Sequence, residues 1–171
     1  MAGNKLITIK DITLIAVMTT LLFVQEQLLS SLPGVQLTIF LMVLYTKKLG
    51  FIKSTIIIII HVLLDNLFMG SFSLIYTPVM FVGWLIIPFT LCTIFKKANS
   101  TIILAILGIV YALIYSWLYM IPMYFIMHVN PLTYLVSDII FEITLAGCSF
   151  ASIVLLYRPC SSLMDMLLKN K

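Results

Sequence analysis

The sequence predicts an all-α integral membrane protein: one bundle of six transmembrane helices with both termini cytoplasmic. Three observations carry that prediction. Hydrophobic residues make up 63% of the chain and charged residues 9%, with a mean hydropathy of +1.20, whereas a soluble domain is roughly 45–50% apolar and about 25% charged. At 171 residues and about 20 residues per spanning helix, there is room for about six spans with short loops. That makes a single transmembrane domain over 1–171, with no soluble domain expected beside it. Finally, the ten Lys and Arg fall into four clusters: Lys5 and Lys10; Lys47, Lys48 and Lys53; Lys96 and Lys97; Arg158, Lys169 and Lys171. Between successive clusters lie two apolar spans whose connections, 30–35, 69–77 and 128–131, hold no Lys or Arg. This is the positive-inside pattern repeated around three hairpins. The net charge of +4 thus reflects orientation in a lipid bilayer and implies no nucleic-acid partner.

Span 1, about 11–29, opens with Asp11 where the helix dipole favours an anion. Lys5 and Lys10 precede it as they would a signal peptide, but no small-residue cleavage site follows, so the run is expected to remain as the first helix. Thr13, Ala16 and Thr20 form a small-residue stripe that lets another helix approach, from the same chain or from a partner. Gln25, Glu26 and Gln27 cluster near the outer end, and Ser30-Ser31-Leu32-Pro33-Gly34 breaks the helix. Glu26 either reaches headgroup water or joins a site.

Span 2, about 35–46, offers only about a dozen residues, or roughly 17 Å of helix. It cannot cross upright unless the preceding loop dips into the protein, and irregular backbone at that depth must be buried or line a cavity. The loop 30–36 is therefore a candidate lid over an outward-facing pocket.

Span 3, about 51–68, places His61 and Asp65 four apart on one face. A satisfied His–Asp hydrogen bond, substrate binding and metal ligation all fit that spacing, although metal sites want three or more ligands. Span 4, about 76–95, contains Pro78, Pro88 and a deep Trp84 that either packs the core or stacks on a ligand. Span 5, about 101–127, carries the small residues Ala105, Gly108, Ala112 and Ser116, and then an aromatic run. Tyr119 and Tyr124 read as interface anchors, whereas Tyr111 and Tyr115 lie deeper and their hydroxyls need partners.

Span 6, about 131–157, holds Asp138 and Glu142 one helical turn apart, roughly 10 and 16 Å below its outer start. Intramembrane carboxylates usually face a bundle interior, a partner or a water-filled cavity. Below them comes the small run Ala146-Gly147-Cys148-Ser149. The polar half faces outside and the tightly packed half inside. Glu26, Asp65, His61, Asp138 and Glu142 share a depth at or above mid-membrane, which points to a small-molecule site opening outward.

Absences narrow the function further. The segment Gly50-Phe51-Ile52-Lys53-Ser54 lacks the second glycine of a phosphate loop, and no HExxH, GxSxG or CxxC occurs. No enzymatic activity, metal or cofactor is expected. Cys92, Cys148 and Cys160 are too few and too scattered for a disulfide framework.

Six short spans, the segment Leu32-Pro33-Gly34-Val35-Gln36 before a short second span, the turn Lys47-Lys48-Leu49-Gly50 and the polar outer half of span 6 together resemble the substrate-binding S components of energy-coupling factor (ECF) vitamin transporters. The resemblance covers nearly the whole chain as topology and loose motifs. It implies capture of a vitamin from outside, then docking to a transmembrane coupling subunit and two ATPase subunits that drive release inside the bacterial cell. Docking in that family commonly uses AxxxA on the first span; here Ala16 is kept and Thr20 replaces the second Ala. By the same resemblance the pocket draws on Trp84, Tyr111, Tyr115, Asp138 and Glu142, with His61 and Asp65 beside them. Excess acid there favours a ligand with cationic or donor groups, such as an aminopyrimidine, a pyridine or an amine. Glu142, the deeper acid, is also placed to partner His61. An alternative resemblance is to the MreD family of rod-shape scaffold proteins, through Leu63-Leu64-Asp65-Asn66-Leu67-Phe68-Met69-Gly70.

Overall fold

The computed structural model describes residues 8–68 and 72–169. Lys5, Lys171 and the end of the acidic turn at Met69 and Gly70 lie outside the described residues. The described residues are 84% helical, in five elements: α1 (Ile9–Leu29), α2 (Thr38–Phe68), α3 (Tyr76–Cys92), α4 (Thr101–Phe125) and α5 (Pro131–Lys169). Four of them, all but α3, are long and apolar enough to cross a membrane. This is a multi-pass membrane protein.

Four candidate membrane-crossing helices stand against six expected spans, and the difference has two sources. The expected spans 35–46 and 51–68 merge in α2, which is continuous except at Gly50, where φ is 79° and ψ −179°. Only glycine adopts that backbone without strain. Contacts with α1 show that α2 doubles back there. Thr38 bonds Gln25 and Asp65 bonds Gln27 at one end of α1, while Lys53, just past Gly50, reaches Asp11 at the other end. The second source is α3, which has 17 residues because the backbone leaves helical geometry at Thr93, short of the expected end at 95. At the other extreme α5 has 39 residues, a rise of about 58 Å, and so continues well past the expected end at 157.

Hydrogen bonds and ion pairs gather one end of the bundle. The Thr8 hydroxyl accepts from the Asp11 amide while Asp11 accepts from the Thr8 amide, a capping box that starts α1. Lys53 Nζ lies 2.8 Å from Asp11 Oδ1, Lys48 Nζ lies 2.6 Å from Asp165 Oδ2, and Lys47 donates to the carbonyls of Phe95 and Lys96. The start of α1, the Gly50 kink, the end of α3 and the tail of α5 therefore share this basic end. The core between the helices is apolar, with Leu22, Ile39, Val43, Val62, Leu104, Leu145 and Ile153 fully buried. Gly108 lets α5 close on α4, since a Cβ there would stand 2.7 Å from Ile153 Cδ1. The opposite end, less tightly knit, holds the polar side chains.

Candidate functional site

The loop between α1 and α2 enters the bundle. Gly34 is buried with φ +75°, and a Cβ on it would lie 3.0 Å from the Phe141 carbonyl oxygen and 3.1 Å from Thr144 Cβ. The Cys148 thiol donates to the Gln36 carbonyl at 3.3 Å. These contacts fall ten to seventeen residues into α5, about 15–26 Å along its axis, so this irregular backbone sits at membrane depth. Its polar groups are satisfied internally, as that depth requires. Gln25 Oε1 accepts from the Leu37 amide at 2.8 Å, and Gln25 Nε2 donates to the Thr38 hydroxyl at 2.8 Å. One glutamine side chain thereby satisfies the Leu37 amide, an orphan donor at the start of α2, and holds the Thr38 hydroxyl.

Around that cap lies the first polar cluster. Thr38 donates to Glu26 Oε2 at 3.2 Å, and the same oxygen stands 3.0 Å from Nε2 of the fully buried His61. This contact has ion-pair distance but is off the ring's N–H axis, so neither ring nitrogen makes a directed hydrogen bond. Gln27 Nε2 donates to Asp65 Oδ1 at 3.3 Å. The carboxylate beside His61 is therefore Glu26 of α1. The hydrogen bond from His61 to Asp65 that their spacing allowed is not made, and Glu142, the other partner considered, lies elsewhere because α5 turns that face towards α4.

The second cluster joins α4 to α5. The Ser116 hydroxyl donates to Asp138 Oδ2 and also faces Glu142 Oε1 at 3.1 Å. Tyr134, one turn before Asp138, donates to the Ser116 carbonyl at 3.2 Å. A hydroxyl has a single proton to donate, so Ser116 serves only one of the two carboxyl groups at a time.

Aromatic rings connect the clusters. From the end opposite the basic one inward, Tyr76 stacks on Tyr119 with centroids 6.1 Å apart, Tyr119 meets Tyr115 edge-on at 5.3 Å, and Tyr115 stacks on Trp84 at 3.9 Å. Two cavities flank this ladder. One, of about 270 Å³, is lined by Tyr115, Ser116, Tyr119, Tyr134, Asp138 and Phe141. The other, of about 230 Å³, lies under the loop, between Glu26, Leu32, Pro33, Gly34 and Gln36, and shares Tyr115 and Phe141 with the first.

Of the residues expected in one pocket, Asp138 and Tyr115 line the larger cavity, and Glu142 sits behind it on Ser116. Trp84 is buried in the core, at 1% exposure, and forms the floor beneath Tyr115. Tyr111 is turned away to the Thr90 hydroxyl, 2.7 Å from its own. His61 and Asp65 belong to the first cluster, behind Glu26. Sequence reasoning left out Gln25, Ser116, Tyr119, Tyr134 and Phe141. Tyr134 and Asp138 are spaced i and i+4, the one available signal among these. Ala16 and Thr20 are exposed on α1, uncovered by any other part of the described chain. Among the described residues no group of three or more His, Cys, Asp or Glu is arranged to hold a metal ion. Comparison with protein-family models, with curated proteins and with solved structures finds no match to this chain.

Proposed function

We propose that this chain is the substrate-capture S component of an ECF-type importer in a bacterial cell membrane, binding a water-soluble vitamin or related small molecule from outside. The observation that carries this reading is the pair of adjoining cavities, one of them beneath a loop that re-enters the bundle, walled by aromatic rings and by one carboxyl group each from α1 and α5. Concave, largely apolar sites with a few convergent polar groups are the usual form of a small-molecule site. Counting α2 as two spans about Gly50 and α3 as a short span gives six, with the basic end and both termini cytoplasmic. The cavities then open to the outside, and the loop 30–36 gates them. Without a phosphate loop the chain has no means of its own to use ATP. A transmembrane coupling subunit and two ATPase subunits supply the energy, meeting the exposed face of Ala16 and Thr20. The chain itself performs no catalysis.

The test is to purify the protein from its native membrane, identify released small molecules by mass spectrometry and identify co-isolated proteins. A stoichiometric vitamin-like ligand together with an ATPase module is expected. Cell-wall elongation proteins with no ligand would overturn the reading in favour of an MreD-like scaffold.

A further inference from the structure

The larger cavity has the composition of a cation cage. Four of its lining residues are aromatic, Tyr115, Tyr119, Tyr134 and Phe141, and its single charged lining residue is Asp138. Aromatic faces carry negative potential and attract an ammonium group within about 6 Å of the ring centroid. Asp138 presents its carboxyl oxygens, hydrogen-bond acceptors, at the same place. No cationic side chain competes for it, because the described Lys and Arg stand at 10, 47, 48, 53, 96, 97, 158 and 169, on the segments that form the basic end. The adjoining cavity repeats this bias, with Glu26 as its charged lining residue. A carboxylate or phosphate ligand would face an acidic side chain in both chambers and no lining Lys or Arg. A small hydrated metal ion would lose water that ring faces do not replace.

Resting on the capture reading, we propose that the ligand is a weakly hydrated organic cation, a quaternary or ring ammonium, with its positive centre in the Tyr115–Tyr119–Tyr134 cage against Asp138 and its body extending past Phe141 towards Glu26. Ser116 and Tyr134 position the Asp138 carboxylate; the rings supply selectivity for charge carried on carbon-rich groups.

The full chain in nanodiscs is titrated with trimethylphenylammonium and choline, and with 3,3-dimethylbutanol as the uncharged isostere of choline. Tryptophan fluorescence is the readout, because Trp84 lies directly beneath Tyr115. Saturable quenching by both cations is expected, with the isostere and the Asp138→Asn and Tyr119→Leu variants each weaker by about tenfold or more. Equal affinity for the isostere, or cation binding unchanged in both variants, would overturn the proposal. If Asp138→Asn does not fold, Tyr119→Leu decides alone. A neutral or anionic molecule that co-purifies and protects Tyr115 and Trp84 from quenching would overturn the cation assignment and leave the capture reading standing. Absence of any bound molecule, native or probe, removes both.

Discussion

The ring of Tyr115 stacks on the indole of Trp84 at 3.9 Å with the planes 21° apart, and Gly83 is the residue that admits it. A Cβ on Gly83 would come within 2.8 Å of Tyr115 Cδ2, closer than carbon atoms tolerate. Tyr119 meets Tyr115 edge-on, so the cavities that it lines are the direction in which Tyr115 can yield. Gly83→Ala should therefore push Tyr115 into the cavities it separates and cost about 1–3 kcal/mol in stability, the usual penalty of overpacking. Thermal unfolding in detergent and a change in tryptophan emission check this; unchanged values for both would show that the stack is loose.

Gln25 of α1 ties down the end of the re-entrant loop, because one side chain satisfies the Leu37 amide and the Thr38 hydroxyl. Gln25→Leu keeps the bulk and removes both partners, leaving a helix-opening amide unpaired at membrane depth. The expected cost is about 1–3 kcal/mol. Gln25→Glu retains an acceptor for the amide and should recover part of it. Equal melting temperatures for wild type and Gln25→Leu would mean that water reaches this cap.

How far the sequence could be read follows from which forces are local. Apolar runs and Lys/Arg clusters report directly on the lipid environment, so the apolar helices and the basic end were legible, but the count of spans was not, since two expected spans merge in α2 and α3 is short. The dipping loop was legible too, because a dozen residues before Lys47 cannot cross the bilayer. Facing directions were not legible. Asp138 and Glu142 stand one turn apart on any helix, but only the rotation of α5 against α4 decides that they meet Ser116 and not His61. Glu26 shows the same limit. Its helical position fitted solvent or site equally, and the fold places its carboxylate against a histidine thirty-five residues away. Ser116 read as a packing residue because small size and hydrogen-bonding capacity are the same side chain seen from two sides.

Gly34 combines a left-handed backbone with close approach to α5, and the two constraints act together. Gly34→Ala incurs about 1–2 kcal/mol for the left-handed conformation and forces its new methyl against the Phe141 carbonyl and Thr144. The loop should lift, breaking the bond from the Cys148 thiol to the Gln36 carbonyl. In a background with Cys92 and Cys160 replaced by Ser, maleimide labelling of Cys148 should then proceed several-fold faster than in the parent. An unchanged rate would show that the loop stays seated.

Glu26 and His61 should be energetically coupled. Removing either partner leaves the other in a poorly solvated position, so Glu26→Gln and His61→Asn are each expected to destabilise by about 1–3 kcal/mol. The double variant should cost less than their sum, because residues in one network do not add. A sum that adds within error would mean that the 3.0 Å approach carries no interaction.

The exposed Ala16 and Thr20 separate docking from capture. Their face of α1 is uncovered, while the neighbouring Ile15, Met18 and Thr19 are buried in the bundle. Ala16→Leu and Thr20→Leu add bulk to that face without touching either cavity, and should leave ligand affinity within about twofold of wild type, the range of a neutral surface change. If this face meets a coupling subunit, the same variants should lose co-isolation with the ATPase module, since close helix approach in lipid requires small residues. Co-purification of the module and equilibrium ligand binding, measured on the same preparations, decide the matter. Lost binding with intact assembly would move α1 from the docking face to the pocket.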